Sequence, residues 1–255
     1  MNKRPVIGLT TDFDQERQGH LIFNSYVESI RKAGGVPLLL MPTVRTPENW
    51  SGDRDEFLKL FPVEEEIFEL LDGVLFTGGA DVDPQFYGEQ PTKDCGGYFP
   101  FRDALEINLA KKCIEKDLPV LGICRGIQSL ACAMGAKLTQ DIYQEDTHFQ
   151  HGQKVVNWYP AHKVKTKEGS LLFRMIGEEA WVNSFHHQSV LKNQPPYPFD
   201  ITAWSEDGLI EGIEKPEQFF FVGVQWHPER MITDPKMRGL FETFVKACAE
   251  RHQGA

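Results

Sequence analysis

The sequence predicts an α/β fold: a single domain, residues 1–255, with a mostly parallel central sheet flanked by helices and extra short strands in its second half. Three observations predict it. Short apolar runs alternate with amphipathic segments through the first half, a β-α-β-α rhythm expected of a parallel sheet wrapped by helices. Two segments with helical character run into glycine, at Gly34-Gly35 and at Gly135, the usual helix stop. No linker, internal repeat or low-complexity tract divides the 255 residues, a length that one large domain accommodates.

The elements follow in order. Residues 6–10 form the first strand. Residues 23–33 place Phe23, Val27 and Ile30 at helical spacing. Residues 36–41 are a continuous apolar run, as expected for a strand covered on both faces. Residues 62–71 open on acidic residues and carry Ile67, Leu70 and Leu71, a helix. Residues 73–77 make a strand broken by Gly78-Gly79, and 101–116 a helix with Leu105, Leu109 and Ile114 on one side. A strand at 119–123 leads directly into a helix at 125–134. The second half is less regular, with short strands at 161–166, 201–204 and 208–214, a stronger one at 219–225 and a closing helix at 235–249. Residues 43–52 and 81–100 are long loops, the kind that tends to carry function. Within the second, Tyr98-Phe99-Pro100-Phe101 reads as an exposed aromatic cluster, lining either a cleft or a subunit contact.

Hydrophobic residues make up 41% and charged residues 25% of the chain, close to an ordinary globular protein, and the formal net charge is -10. An acidic surface repels phosphate backbones, so nucleic acid is excluded as a general partner. No apolar run is long enough to span a bilayer. The basic start at residues 1–5 precedes an apolar stretch too short for a signal peptide, so a cytoplasmic location is expected. Five cysteines (Cys95, Cys113, Cys124, Cys132 and Cys248) form no framework pattern and no Cys-x-x-Cys, which favours reduced thiols over disulfides or a structural zinc site.

The most informative stretch is Leu121-Gly122-Ile123-Cys124-Arg125-Gly126-Ile127-Gln128. A strand ends, a cysteine follows and a helix begins, with a glycine two positions away on each side. That is the pattern of a nucleophile elbow, which lifts one side chain above the sheet edge and needs small neighbours. The helix N-terminus aimed at the sulfur favours the reactive thiolate, and the backbone N–H of Arg125 can face an oxyanion. The competing reading, a buried thiol in a glycine-rich turn, suits Cys113, Cys132 and Cys248 on helical faces better than Cys124.

A cysteine nucleophile needs a histidine base oriented by a third group. His227, in Gln225-Trp226-His227-Pro228-Glu229, follows an apolar strand and so falls at the edge where parallel sheets bind ligands. Glu229 reaches the second ring nitrogen if the chain turns at Pro228, fixing the tautomer.

These residues resemble the class I glutamine amidotransferase-like superfamily. Thr77-Gly78-Gly79-Ala80-Asp81-Val82-Asp83-Pro84, Tyr87-Gly88, Arg102-Asp103-Ala104-Leu105-Glu106 and Asn183-Ser184-Phe185-His186-His187-Gln188 are similar to its γ-glutamyl-γ-aminobutyrate hydrolase branch. The likeness runs from about Gly8 to Glu229 and implies a flavodoxin-like three-layer fold. It implies Cys124 as nucleophile, His227 as proton shuttle and Glu229 as its orienting group, with the N–H groups of Gly79 and Arg125 as the oxyanion hole. Gly78 lacks a side chain that would block the acyl group. Gln128 either holds the glutamyl head group or is a structural amide. His186, His187 and Gln188 are implied to line the cleft, with a structural hydrogen-bonding role close behind. Arg102 either binds a substrate carboxylate or pairs with Glu106 four positions on. Adjacent residues of an extended segment face opposite ways, so His186 and His187 do not share a metal. His148 and His151, in a polar loop, read as solvated. No metal or organic cofactor is expected.

The implied reaction is hydrolysis of a γ-glutamyl amide on a small amine, γ-glutamyl-γ-aminobutyrate first, as in putrescine breakdown. Rivals are a glutaminase subunit feeding ammonia to a partner synthetase, a catalytically silent binding protein on the same scaffold and a folate poly-γ-glutamate hydrolase. The small-molecule substrate is the one partner the sequence points to, and a homo-oligomer stays open.

Overall fold

The computed structural model describes residues 3–254 except residues 15, 49 and 146; residues 1 and 2 of the basic start lie outside the described residues. A nine-stranded sheet organises the chain. Val36–Leu40, Val6–Thr10, Gly73–Phe76, Val120–Ile123 and Phe221–Val224 lie side by side in that order and run parallel. Ile210–Glu214, Asp200–Ser205, His162–Thr166 and Glu179–Val182 then add on antiparallel. The sheet is thus mostly parallel where the chain alternates strand and helix, and antiparallel where the second half turns irregular.

Two cores, one on each face, make three layers. On one face, Tyr26 and Ile30 of helix Asn24–Lys32 join Leu240, Phe241 and Phe244 of helix Pro235–Gly254 over Leu121 and Val222. On the other, Leu109 and Cys113 of helix Pro100–Glu115 join Ile127 and Leu130 of helix Arg125–Ala133 over Val120 and Phe221. Successive strand residues take opposite faces, which is why Val120 and Leu121, or Phe221 and Val222, serve different cores. Strands sandwiched this way need apolar residues at every position, hence the unbroken runs. Among the described residues, no helix is long and apolar enough to cross a membrane.

Several expectations are corrected. Val36–Leu40 is the terminal strand of the sheet, and Leu38 and Leu39 are exposed rather than covered on both faces. The helix expected over 62–71 is shortened to Glu65–Leu70, and a separate helix, Arg54–Leu60, precedes it. That helix begins at Asp53, whose carboxylate accepts the Glu56 N–H at 2.8 Å, and it buries Phe57. The aromatic cluster is not exposed: Phe99 is buried and stacks on Phe13 at 4.5 Å, and Phe101 packs on Phe57 and Phe61.

The registers set up the site. Phe76 pairs with Gly122, and Val224 with Ile123, so three neighbouring parallel strands end at one level. The residues that follow them are Thr77-Gly78-Gly79, Cys124 and Gln225-Trp226-His227. Glycine is required where the central strand turns into its helix. A Cβ on Gly126 would stand 2.2 Å from the Phe76 carbonyl oxygen, and one on Gly122 would stand 2.8 Å from the Gly126 carbonyl carbon. Neither contact involves a side chain that could swing away. Gly126→Ala is therefore expected to cost about 1–3 kcal/mol or more. Urea unfolding should show a lower midpoint at unchanged slope; an unchanged midpoint would refute the close approach.

Candidate active site

Cys124 sits in the left-handed region, at φ 54° and ψ −105°, between strand Val120–Ile123 and helix Arg125–Ala133. A side-chain-bearing residue held there costs about 1–3 kcal/mol, sustained only where the surroundings over-determine it. Here its N–H donates to the Val224 carbonyl at 2.8 Å, tying the elbow to the neighbouring strand. The sulfur lies 3.9 Å from the Phe185 carbonyl and 3.8 Å from the Gln225 amide nitrogen.

His227 and Glu229 meet because Pro228–Arg230 forms a turn of 3-10 helix directly after His227. The turn brings a Glu229 oxygen to 2.8 Å from His227 Nδ1, with both residues buried. Burial acts against the charged imidazole. The Glu229 carboxylate and the Cys124 sulfur outweigh it and raise the His227 pKa to about 10. A Cβ on Gly78 would stand 3.0 Å from the His227 ring and 3.6 Å from the Cys124 Cβ, so these two side chains flank the same glycine, with Glu229 behind the ring.

Three residues that sequence reasoning did not single out hold this group. Asn183 grips both polar groups of the His227 backbone, accepting from its N–H at 2.8 Å and donating to its carbonyl at 3.0 Å. The buried Tyr26 hydroxyl accepts the Gly78 N–H at 2.9 Å and lies 3.4 Å from His227 Nδ1. Gln225 bridges inward, accepting from Gln128 at 3.3 Å. Asn183 lies within a quoted motif, whereas Tyr26 follows the helical apolar pattern and carries no separate signal.

Gly78 and Gly79 are held tightly. A Cβ on Gly78 would stand 3.0 Å from the His227 ring, and one on Gly79 would stand 2.1 Å from an Arg102 nitrogen. Arg102 is the support of this loop. Its guanidinium donates to the carbonyls of Thr77 at 2.9 Å and Gly78 at 3.0 Å, and pairs with Glu106 at 2.8 Å and Asp12 at 3.2 Å. The Arg125 side chain, also buried, pairs with Asp103 and Glu106 beneath the elbow, which leaves only its backbone for the cleft. Of the two roles open to Arg102, its geometry takes the pairing with Glu106. It is 1% exposed, and its carboxylate partners are the protein's own.

The remaining candidates also turn inward. Gln128 is buried and donates to the Gln188 carbonyl at 3.1 Å, the geometry of a structural amide. Gln188 is buried and donates to the Gln140 carbonyl at 3.3 Å. His186 is buried, and its Nδ1 bonds the Gln188 carbonyl at 2.9 Å. His187 faces the other way, half-exposed, with Nε2 2.9 Å from Asp81; that hydrogen bond raises its pKa. His148 is exposed as expected, but His151 is fully buried beside Ser184, Asp207 and Glu211. His151, His186 and Glu211 are the described residues grouped closely enough to hold a metal ion.

The comparisons with known proteins agree with this architecture. Residues 5–229 match the family model described as peptidase C26. A Mycobacterium tuberculosis protein provisionally named a glutamine amidotransferase is 35% identical, over 96% of this chain and 75% of its own length. The γ-glutamyl-γ-aminobutyrate hydrolase PuuD of Escherichia coli K12 is 31% identical, over 96% of this chain and 93% of its own. Among solved structures, a Thermotoga maritima glutamine amidotransferase shares the fold at a TM-score of 0.57 and 17% identity, covering 99% of this chain and 100% of that one. The chain belongs to the peptidase C26 family.

Proposed function

We propose that this protein is a cysteine hydrolase that cleaves the γ-glutamyl amide bond of a γ-glutamylated small amine, with γ-glutamyl-γ-aminobutyrate as the first substrate to test. The observation that carries the proposal is that Cys124 and His227, the latter backed by Glu229, flank Gly78 on one sheet edge. The likeness to PuuD supports the choice of substrate.

In the mechanism, the Cys124 sulfur attacks the γ-carbonyl carbon of the substrate. Negative charge moves to the carbonyl oxygen, which the N–H groups of Gly79 and Arg125 receive. The Gly78 N–H is engaged by Tyr26, so the next N–H along, that of Gly79, serves. The imidazolium of His227 gives its proton to the departing amine nitrogen as the C–N bond breaks, leaving a γ-glutamyl thioester. Water, losing a proton to His227, attacks the thioester and releases glutamate and the thiolate. Glu229 keeps the ring oriented and favours its charged form throughout. None of these steps calls on a metal or organic cofactor.

Glutamate release from γ-glutamyl-γ-aminobutyrate, other γ-glutamyl amines, free glutamine and a folate polyglutamate tests the reading. Release from γ-glutamyl amines by the wild type, and none by a folded Cys124→Ala variant, is expected. Turnover that survives Cys124→Ala removes the nucleophile assignment. Glutamine hydrolysis that requires a second protein moves the reading to a glutaminase subunit.

The pH profile follows from the raised His227 pKa. The proton needed by the leaving amine is held through neutrality and lost as pH climbs through about 10, so kcat should fall on the alkaline side. Glu229→Gln removes a contribution that raises this pKa. The alkaline limb should move down and the rate at neutral pH should drop by about 10²–10⁴-fold; an unmoved limb would count against Glu229 as the orienting group.

Tyr26→Phe removes the acceptor of the Gly78 N–H and loosens the glycine loop against His227. A buried donor left unpaired costs about 1–3 kcal/mol. Some of that should emerge as a lower kcat with little change in KM, measured alongside thermal stability. A kcat equal to wild type would confine Tyr26 to packing.

A further inference from the structure

Three separated segments bring a second group of polar side chains together behind the cleft wall. The 151–153 and 184–186 segments pair antiparallel: His186 N–H donates to the His151 carbonyl at 3.0 Å, and Gln153 N–H to the Ser184 carbonyl at 3.0 Å. That pairing sets the His151 and His186 rings 4.9 Å apart. Glu211, on strand Ile210–Glu214, reaches both. One of its oxygens lies 3.7 Å from His151 Nδ1 and 3.7 Å from His186 Nε2. All three residues are buried.

The outer contacts fix which nitrogen carries each proton. His186 Nδ1 faces the Gln188 carbonyl at 2.9 Å, so it is the N–H, and Nε2 carries the lone pair. His151 Nε2 faces the Asp207 carboxylate at 3.1 Å, so the lone pair of the neutral ring is on Nδ1. The groups converging at the centre are therefore two imidazole lone pairs and a carboxylate, with the rotatable Ser184 hydroxyl 3.2 Å from His151 Nδ1 and His162 Nε2 3.1 Å from the nearer Glu211 oxygen. At 3.7 Å the contacts between the Glu211 oxygen and the two rings are too long for hydrogen bonds, so His186 Nε2 and the second Glu211 oxygen face this space with no donor of their own.

We propose that His151 Nδ1, His186 Nε2 and the Glu211 carboxylate form a zinc site that fixes the wall of the cleft. The ligand atoms all lie within 4.8 Å of one another. Bond lengths of about 2.0–2.2 Å to a tetrahedral zinc place ligand atoms about 3.4 Å apart, so the two 3.7 Å pairs need little closure and the widest pair about 1 Å or more. Two imidazoles and one carboxylate are a donor set that suits zinc. Each ligand also has the outer partner that metal sites use: Asp207 on His151, the Gln188 carbonyl on His186, and His162 Nε2 on Glu211 at 3.1 Å. The consequence for the cleft runs through Phe185, next to His186, whose carbonyl lies 3.9 Å from the Cys124 sulfur. The ion would join this segment to the strand beside Phe221–Val224, which leads to His227.

The site is tested by metal content, independently of any hydrolytic activity. The full chain, stripped by chelator in denaturant and refolded with limiting zinc, is dialysed and analysed for bound metal. Cys124→Ala removes the reactive thiol as a competing ligand. One zinc per chain is expected in both wild type and Cys124→Ala, and none in Cys124→Ala with Glu211→Gln. Asp207→Asn should weaken binding by about 10–100-fold against a competing chelator. X-ray absorption of the zinc-loaded wild type decides even where a variant fails to fold: nitrogen and oxygen neighbours alone support the site. Sulfur in the coordination shell overturns it, as does a wild-type chain that refolds fully and retains no zinc. Retention unchanged by Glu211→Gln overturns it as well.

Discussion

The left-handed backbone at Cys124 is the constraint on which the site depends. A residue with a side chain does not stay at φ 54° unaided, so the surroundings must leave no alternative. On one side the Val224 carbonyl accepts the Cys124 N–H, and the strand on the other side packs its Phe76 carbonyl against Gly126. Gly122 and Gly126 are small because the strand and the helix that follows it nearly touch at the turn. The same closeness aligns the ends of three parallel strands, so Cys124, a glycine loop and a histidine arrive together without long loops to hold them.

Beneath that edge lies a buried network of charge. Arg102 and Arg125 share Glu106, and each has a further carboxylate of its own, Asp12 or Asp103. Burial works against an ionised Glu106, but the two guanidiniums outweigh it and hold its pKa below the ordinary value. Such a network is a poor argument for stability, since desolvating the ions offsets much of their attraction. Its value here is geometric. The planar guanidinium of Arg102 takes the Thr77 and Gly78 carbonyls on one nitrogen, and Arg125 anchors the first turn of the elbow helix. Lysine could supply the charge at either position but not the fork. The loop that meets His227 and the helix that follows Cys124 are therefore registered against one shared carboxylate.

What was legible in the sequence follows from how local each signal is. The elbow is local: strand, cysteine, helix and two glycines lie within a few residues, so Cys124 could be read directly. Glu229 is two residues from His227, and Pro228 made the turn readable. Val36–Leu40 was misread because an apolar run looks the same in the middle of a sheet and at its edge; only strand order distinguishes them. His151 was misread because its partners, Asp207 and Glu211, come from a distant hairpin. Its polar neighbours in sequence looked like solvated loop. Tyr26 kept the spacing of a core residue, and nothing in a helical pattern marks a hydroxyl that reaches back to a backbone N–H.

The inward turn of the motif residues bears on how a γ-glutamyl hydrolase can choose its amine. Arg102, Gln128, His186 and Gln188 all have polar atoms committed to protein partners. Freeing any one of them for a ligand would leave a buried group unpaired, at a cost of about 1–3 kcal/mol or more for a charged one. On the proposed reading, these residues act on the substrate chiefly through the wall they build, the Phe185 carbonyl and the Gly78-Gly79 loop. On the same reading, discrimination between leaving amines falls to groups nearer the surface. His187, half-exposed and paired with Asp81, is one. Arg230 is another, its guanidinium 5.2 Å from the Phe23 ring and 5.4 Å from the Phe185 ring, next in sequence to Glu229. On the proposed reading, this frame fixes the bond to be cut and leaves the amine to groups at the rim.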